Sequence, residues 1–315
     1  MIQYDHKVTV SQIEKCFDLE IPDFIEEHIH NLNLRYRKLT DKEQETHIES
    51  YWKFLNAEVV PSGPGRKNVW QTGWQQNLDE LRIKGINDAT LLPHYYRQGK
   101  TVMRYMGEFI LPEDGLFESK FLTILRKLIA YYFLNEHKNI YEFGSGSCHN
   151  ILAFAQELEN KNFYMTDWVY PTIEITESIE RQKRFLGISS HNFKSQLFDF
   201  FKPDINFRLK SDSLVLTFGS MEQIGIEFSN LLDYFLNQKT QHFLHIEPFV
   251  ELYDRAFEFD ELAYLYSKKR NYLNGYLSAL KNLEQDGLIT IEYQKRIIGS
   301  GYHDAHTIVK WKKLI

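Results

Sequence analysis

The chain has 315 residues, 43% of them hydrophobic, which is enough for one large elaborated domain or for two domains. Its formal charge is −6 with no long basic run, so a nucleic-acid backbone is not expected as the main partner, since that binding needs clustered Lys and Arg. The only cysteines are Cys16 and Cys148, so nothing suggests a disulfide framework or a zinc site.

The N-terminus "MIQYDHKVTVSQIEKCFDLE" is charged throughout and lacks the apolar core of a signal peptide. No apolar stretch approaches the length of a bilayer span, so a reducing, cytoplasmic setting and no membrane partner are expected. "SQIEKCF", "IPDFIEEHIHNLNLRYRKL" and "DKEQETHIESYWKFL" carry apolar residues at helical spacing, and residues 1 to about 137 read as mostly helical. "VVPSGPGRKN" interrupts them as a loop dense in Pro and Gly. "WQTGWQQN" and "LLPHYYRQGK" mix aromatics with amides and Arg97, a combination that suits either a polyol ligand or inter-domain packing. "ESKFLTILRKLIAYYFLNEHKN" then places Phe121, Leu122, Leu125, Leu128, Ile129 and Tyr132 at helical steps.

From Asn139 the rhythm changes. "IYEF", "NFYMTD", "SQLFDFF", "SDSLVLTFGS" and "HFLHIEP" read as five short strands, the fourth apolar enough for burial on both faces. "NILAFAQELEN", "TIEITESIERQKRFLG" and "EFSNLLDYFLNQ" read as intervening helices, so the sheet is open, parallel and covered on both sides. One long helix is expected over "FDELAYLYSKKRNYLNGYLSALKNLEQDG", capped by Gly287. "LITIEYQKR" and "DAHTIVKW", joined by a Gly-rich loop, read as an antiparallel hairpin, which departs from the ordinary dinucleotide-binding pattern.

Several features in order carry a resemblance over about residues 118 to 313. "YEFGSGS" resembles the acid-x-Gly-x-Gly turn after strand one of the class I S-adenosylmethionine-dependent methyltransferases. "YMTDW" resembles the family's acid at the end of strand two, and "LFDFF" its acid and aromatic after strand three. "LTFGSMEQ" is similar to its strand-four exit, and the last hairpin to its strands six and seven. The resemblance implies a Rossmann-like α/β sheet, mostly parallel, with an antiparallel C-terminal hairpin. Residues 118–315 are then the S-adenosylmethionine-binding domain, and residues 1–117 a mainly helical lid or substrate region. It implies cofactor contacts for Glu142, Gly144, Gly146, Asp167, Trp168, Asp199, Phe200, Thr217 and Phe218. Cys148 stands where the family often has a third glycine.

The residues themselves allow this reading and others. Gly144 and Gly146 let backbone approach a ligand without Cβ clashes, and the helix that follows offers free N–H groups to a carboxylate. Asp167 can accept two bonds from a ribose or cap a helix. Trp168 offers a face for adenine and Phe200 can stack; Asp199 can accept from an exocyclic amine or turn a surface loop; Glu142 can bond local backbone. A nicotinamide dinucleotide is the rival nucleotide, but its Gly-x-Gly-x-x-Gly fingerprint fails at His149.

Methyl transfer to a hydroxyl calls for alignment, exclusion of water and a general base. Acceptor groups are expected past strands four and five and at the hairpin. Glu247, His245 and His303 are the candidates for catalysis, and Glu222, Gln223, Tyr95 and Arg97 for substrate binding. Each has a plainer reading: Glu222 as a helix-start acid, His245 as a core histidine, His303 as a solvated loop residue. A metal held by His245, Glu247 and His303 is conceivable by ligand type, but no local spacing demands one, and none is expected. The expected function is methylation of a small polar metabolite, a carbohydrate or natural-product hydroxyl, by a chain for which a homodimer is compatible. A nicotinamide-dependent oxidoreductase and a non-catalytic cofactor-binding interaction protein are the alternatives.

Overall fold

The computed structural model describes residues 3–97 and 99–314. The N-terminal region carries β1 (His6–Lys7), α1 (Val10–Phe17), α2 (Asp23–Leu32), β2 (Arg35–Lys38), α3 (Asp41–Asn56), α4 (Lys67–Lys84), α5 (Asp88–Leu91), β3 (Met103–Tyr105) and β4 (Glu108–Pro112). Local chemistry starts the helices. Thr9 with Gln12, and Thr40 with Glu43, form reciprocal capping boxes on α1 and α3, each satisfying two orphan N–H groups. The region is mainly helical, as read, but it also holds four short antiparallel strands. These join the main sheet through β3, which pairs with the hairpin strand β10 (Ile289–Ser300).

The second half runs α6 (Phe117–Ile129), continued by a π turn at Ala130–Leu134, then β5 (Asn139–Phe143), α7 (His149–Glu157), β6 (Asn162–Asp167), α8 (Tyr170–Gln182), β7 (Asn192–Leu197), β8 (Ser213–Phe218), α9 (Ser229–Leu236) and β9 (His242–Glu247). It closes with α10 (Glu258–Arg270), α11 (Tyr276–Gln285), β10 and β11 (His306–Lys313). The strand order is β1-β2-β4-β3-β10-β11-β9-β8-β5-β6-β7. Strands β7, β6, β5, β8 and β9 are parallel; β11 lies antiparallel to β9 and forms the hairpin with β10. This is the Rossmann-like order with an inserted antiparallel hairpin that the sequence led us to expect. Its switch point lies between β5 and β8, where ligands bind outside the carboxyl ends of the strands.

Alternation places the core on both faces of the sheet. Ile140, Leu214 and Leu216 pack with Phe121, Leu125, Phe154 and Ile175 on one side; Tyr141, Phe143 and Val215 pack with Phe235, Leu277, Leu280 and Trp311 on the other. Each fully buried Leu or Phe contributes roughly 1.5–3 kcal/mol. Much of the aromatic content serves this packing: Phe243 stacks on Trp311 at 4.0 Å. No helix among the described residues is long and apolar enough to cross a membrane.

The expected single helix after β9 is two helices. Asn271 ends α10 in the left-handed region (φ 55°), and Gly275 starts α11 at φ 92°. The break frees Leu273 N–H to bond Glu222 O and Asn274 N–H to bond Gly225 O, which ties the α10–α11 junction to the loop after β8. Gly287 follows α11 at φ 70°, in the capping role expected of it.

Candidate active site

The turn after β5 is shaped by close approach. At Gly144 (φ 76°) a Cβ would collide with Ser220 Cβ, and at Gly146 (φ 52°) it would lie 2.6 Å from Trp74 Cζ2. Cys148 takes φ 60° at the start of α7, a conformation that costs a non-glycine residue about 1–2 kcal/mol. Its thiol is buried 3.5 Å from Thr176 Oγ1, so the missing third glycine is replaced by a packed side chain.

Asp167 ends β6. Its Oδ2 accepts from Gly146 N–H at 2.8 Å and its Oδ1 from Val169 N–H at 3.2 Å. Helix α8 has no side-chain cap, so Asp167 is not an N-cap. Burial pushes its carboxyl up to about 6, against the pull of those backbone N–H groups. Glu142 lies on β5 with Oε1 accepting from Asn150 Nδ2 at 3.0 Å and Oε2 buried without a partner. Burial pushes it up to about 8, with Asn150 and Ser145 opposing.

Asp167 borders a narrow aromatic cavity of about 60 Å³, whose walls are Trp70, Trp74, Trp168, Phe198, Phe200 and Phe201. Gly144, Gly219, Ser220 and Gln223 complete its polar rim. Asp199 does not line it. Its Oδ1 accepts from Phe201 N–H at 2.9 Å, closing a local turn that aims Phe200 and Phe201 at the cavity. Thr217 and Phe218 are also displaced from their expected role. Thr217 Oγ1 bonds His245 Nδ1 inside the core at 2.9 Å, and the Phe218 ring packs 5.7 Å from that of His306. The strand-four exit contributes Gly219 and Ser220 instead.

A larger cavity of about 760 Å³ abuts the first, sharing Trp70, Trp74, Gly219 and Gln223. Glu222, Tyr95, Tyr266, Tyr272, His303 and His306 are in its wall. The His303 ring stacks on Tyr266 at 5.4 Å, and its Nδ1 lies 3.1 Å from Ser300 Oγ. Its buried Nε2 has no hydrogen-bond partner and faces Glu222 Oε2 at 3.6 Å. Gln223 Nε2 donates to Glu222 Oε1 at 2.6 Å, and Ser62 Oγ donates to Gln223 Oε1 at 3.0 Å.

Three further expected site residues, those for catalysis and substrate, lie elsewhere. His245 is fully buried between Thr217, Tyr276 OH (3.1 Å) and Trp311 Nε1–H (2.9 Å), and burial pulls it down to about 3, so it is a neutral core group. Glu247 is also fully buried. Its carboxylate accepts from the N–H groups of Ser220, Met221 and Glu222 at 3.0–3.1 Å, which makes it the anchor of the loop after β8 and not a group facing an acceptor. Burial pushes it up to about 7. Arg97 is spent on Glu80 (2.8 Å) and on the carbonyls of Ala89 and Leu92. Among the described residues, no group of three or more His, Cys, Asp or Glu side chains gathers as for a metal.

One cation escaped the sequence reading because it sits one helix upstream. Arg126 on α6 is 3% exposed, donates to Leu122 O, and brings Nη1 within 3.3 Å of His149 Nδ1 at the start of α7. Burial and then Arg126 hold His149 well below its ordinary value, so it stays neutral. Arg126 forms no ion pair among the described residues.

No protein-family model and no curated protein matches this chain. Solved structures with a similar fold include the N-methyltransferase NodS from Bradyrhizobium japonicum WM9 in complex with S-adenosyl-L-homocysteine, 11% identical, covering 63% of this chain and 88% of that one at a TM-score of 0.43. A methyltransferase from Methanosarcina mazei is 14% identical, covering 59% and 97% at 0.45. The mitomycin 7-O-methyltransferase MmcR is 12% identical, covering 78% and 68% at 0.42.

Proposed function

We propose that this chain transfers a methyl group from S-adenosylmethionine to a hydroxyl of a small polar molecule. The observation that carries the reading is one juxtaposition at the switch point of the sheet. A bare glycine turn with the Asp167 carboxylate beside Gly146 borders an aromatic cavity, and that cavity meets a larger one walled by Glu222 and His303.

The residues present fit the donor. Asp167 suits a ribose diol, Trp168 and Phe201 suit an adenine face, and Glu142 Oε2 is a buried acceptor without a donor. Arg126, which reaches from α6 to His149 at the start of α7, suits a carboxylate. The Trp74 indole fills the space over Gly146, so a ligand resting on that glycine requires Trp74 to turn away. When bound, the sulfonium supplies an electrophilic methyl group. On the acceptor side, His303 Nε2 takes the hydroxyl proton and the Glu222 carboxylate stabilises the resulting imidazolium. Tyrosine and tryptophan walls with Gln76, Asn77 and Gln223 suit a carbohydrate or another polyol. A dinucleotide is disfavoured because His149, where its fingerprint needs a third glycine, is a buried helical residue.

Calorimetric titration tests the reading. S-adenosylhomocysteine should bind and raise the melting temperature by mass action, while NAD should do neither. The reverse pattern overturns it.

A further inference from the structure

The large cavity holds both acids and bases, and their pairing is uneven. Glu118 faces His306 at 3.2 Å, Asp114 pairs with Lys120, and Glu222 faces His303 and Gln223. Of the bases, His47 bonds Gly301 O and His94 faces Glu80. Arg66 and Arg270 are left over, apart from a long bond of 3.4 Å from Arg270 Nη1 to Val60 O. Neither makes an ion pair among the described residues, and Arg66 Nη1 and Arg270 Nε are buried without any hydrogen-bond partner. Each guanidinium lies on an aromatic ring, Arg66 5.7 Å from that of Trp70 and Arg270 5.4 Å from that of Tyr272. The rings offset some of the lost hydration, but they accept none of the in-plane N–H bonds.

Both arginines are held in place. Arg66 ends the Pro64–Arg66 turn that leads into α4, and Arg270 ends α10. Ser62 N–H donates to Arg270 O at 2.7 Å, and Asn271 Nδ2 donates to Ser62 O at 2.9 Å, stitching the two segments together. The Arg270 charge also weighs on Arg66, which is pulled below its ordinary value first by burial and then by that neighbour. The Glu222 carboxylate acts in the opposite sense on both arginines, and Arg270 is held above its ordinary value. Glu222 forms no ion pair with either among the described residues, so two fixed, partly desolvated like charges still favour a further counter-charge.

We propose that Arg66 and Arg270 form an oxyanion site, so that the methyl acceptor carries a phosphate or carboxylate group. The inference rests on the methyltransferase reading for the word acceptor, and on the arginines alone for the anion. Guanidinium forks match either oxyanion. Tyr272 sets the spacing: its ring lies 5.2 Å from that of His303, so the anionic group sits one aromatic ring away from the reacting hydroxyl.

The test uses the full chain at constant ionic strength, titrated with sodium phosphate, sodium acetate or sodium chloride while melting temperature and tryptophan fluorescence are followed. Saturable stabilisation by phosphate or by acetate, absent with chloride, is expected, and the stronger of the two names the group. In Arg66→Gln and Arg270→Gln the affinity should fall about tenfold or more, as when charge-assisted bonds are lost. Arg66→Lys and Arg270→Lys, which keep the charge and lose the fork, should fall between. No saturable response in the wild-type protein, or equal affinity in the glutamine variants, overturns the proposal. S-adenosylhomocysteine affinity, measured on the same samples, should stay within about threefold because neither arginine borders the aromatic cavity. Its absence throughout, with oxyanion binding intact, would refute the methyl-donor reading alone.

Discussion

Replacing Glu142 by Gln should stabilise the free protein, and only at higher pH. The substitution keeps side-chain volume and keeps an oxygen for Asn150 Nδ2, while removing a charge whose second oxygen has no donor. In the folded chain the carboxyl holds its proton up to about 8, whereas its ordinary value is 4.5. The folded state therefore binds the proton more tightly than the unfolded one. Stability from this group is complete below 4.5 and is lost as pH rises through about 8. At about 1.4 kcal/mol per factor of ten in proton affinity, that gap sets an upper limit of about 5 kcal/mol. Relaxation and water penetration lower such figures, so about 1–3 kcal/mol is expected at high pH. Urea unfolding of both proteins at pH 5 and pH 8.5 measures it. Asp167 and Glu247, pushed up in the same sense, are present in both proteins, so their own burial cancels and the difference carries Glu142 together with its coupling to Asp167. A Glu142→Gln advantage that does not grow from pH 5 to 8.5, or a less stable variant at pH 8.5, refutes the reasoning.

The other predictions concern the site. Asp167→Ala should weaken S-adenosylhomocysteine binding by at least about tenfold, since each bond to a charged group is worth roughly 1.5–3 kcal/mol, and unchanged affinity by titration would remove Asp167 from the cofactor site. His303→Ala and Glu222→Gln should each slow a single turnover by about 10²–10⁴-fold at saturating acceptor, with cofactor affinity held within about threefold; rates within threefold of wild type would end the acid–base assignment. His245→Ala should instead lower stability by about 2–4 kcal/mol in urea unfolding, because it strands Thr217, Tyr276 and Trp311 in the core, and a variant of wild-type stability would contradict that placement.

The second half of the fold was legible because its strands are short apolar runs punctuated by helices, and because the hairpin has two long strands. The N-terminal strands were not: β1 spans two residues and β3 three, too few for a period of two to register. They exist because the edge of β10 is there to be paired, which is tertiary information. The broken helix did leave a trace in "RNYLNG", since Asn271 and Gly275 are the residue types that accept positive φ, but the apolar stripe outweighed it. His245 and Glu247 do share a face of β9, as period two requires. That face is sealed, however, because β9 lies between β8 and β11 and α11 covers it. Arg66, Glu222, Arg270 and His303 come from four distant segments, and only the folded chain brings them to one cavity.

The three raised carboxylates share a physical logic. Glu142, Asp167 and Glu247 sit at or near the carboxyl ends of β5, β6 and β9, where burying a charge is expensive. Asp167 and Glu247 each spend that cost on backbone N–H groups that no helix or ladder satisfies: Gly146 and Val169 in one case, Ser220 to Glu222 in the other. The loops are thereby fixed by acceptors inside the sheet, and what covers the Gly146 loop on its cavity side is the Trp74 side chain. In the proposed reaction Glu247 acts at one remove. It holds the N–H of Glu222, and the Glu222 side chain, not that of Glu247, faces His303. Sequence alone names Glu247 and His303 among the candidate bases; in the proposed mechanism the proton goes to His303, and Glu222, on the loop that Glu247 anchors, faces it.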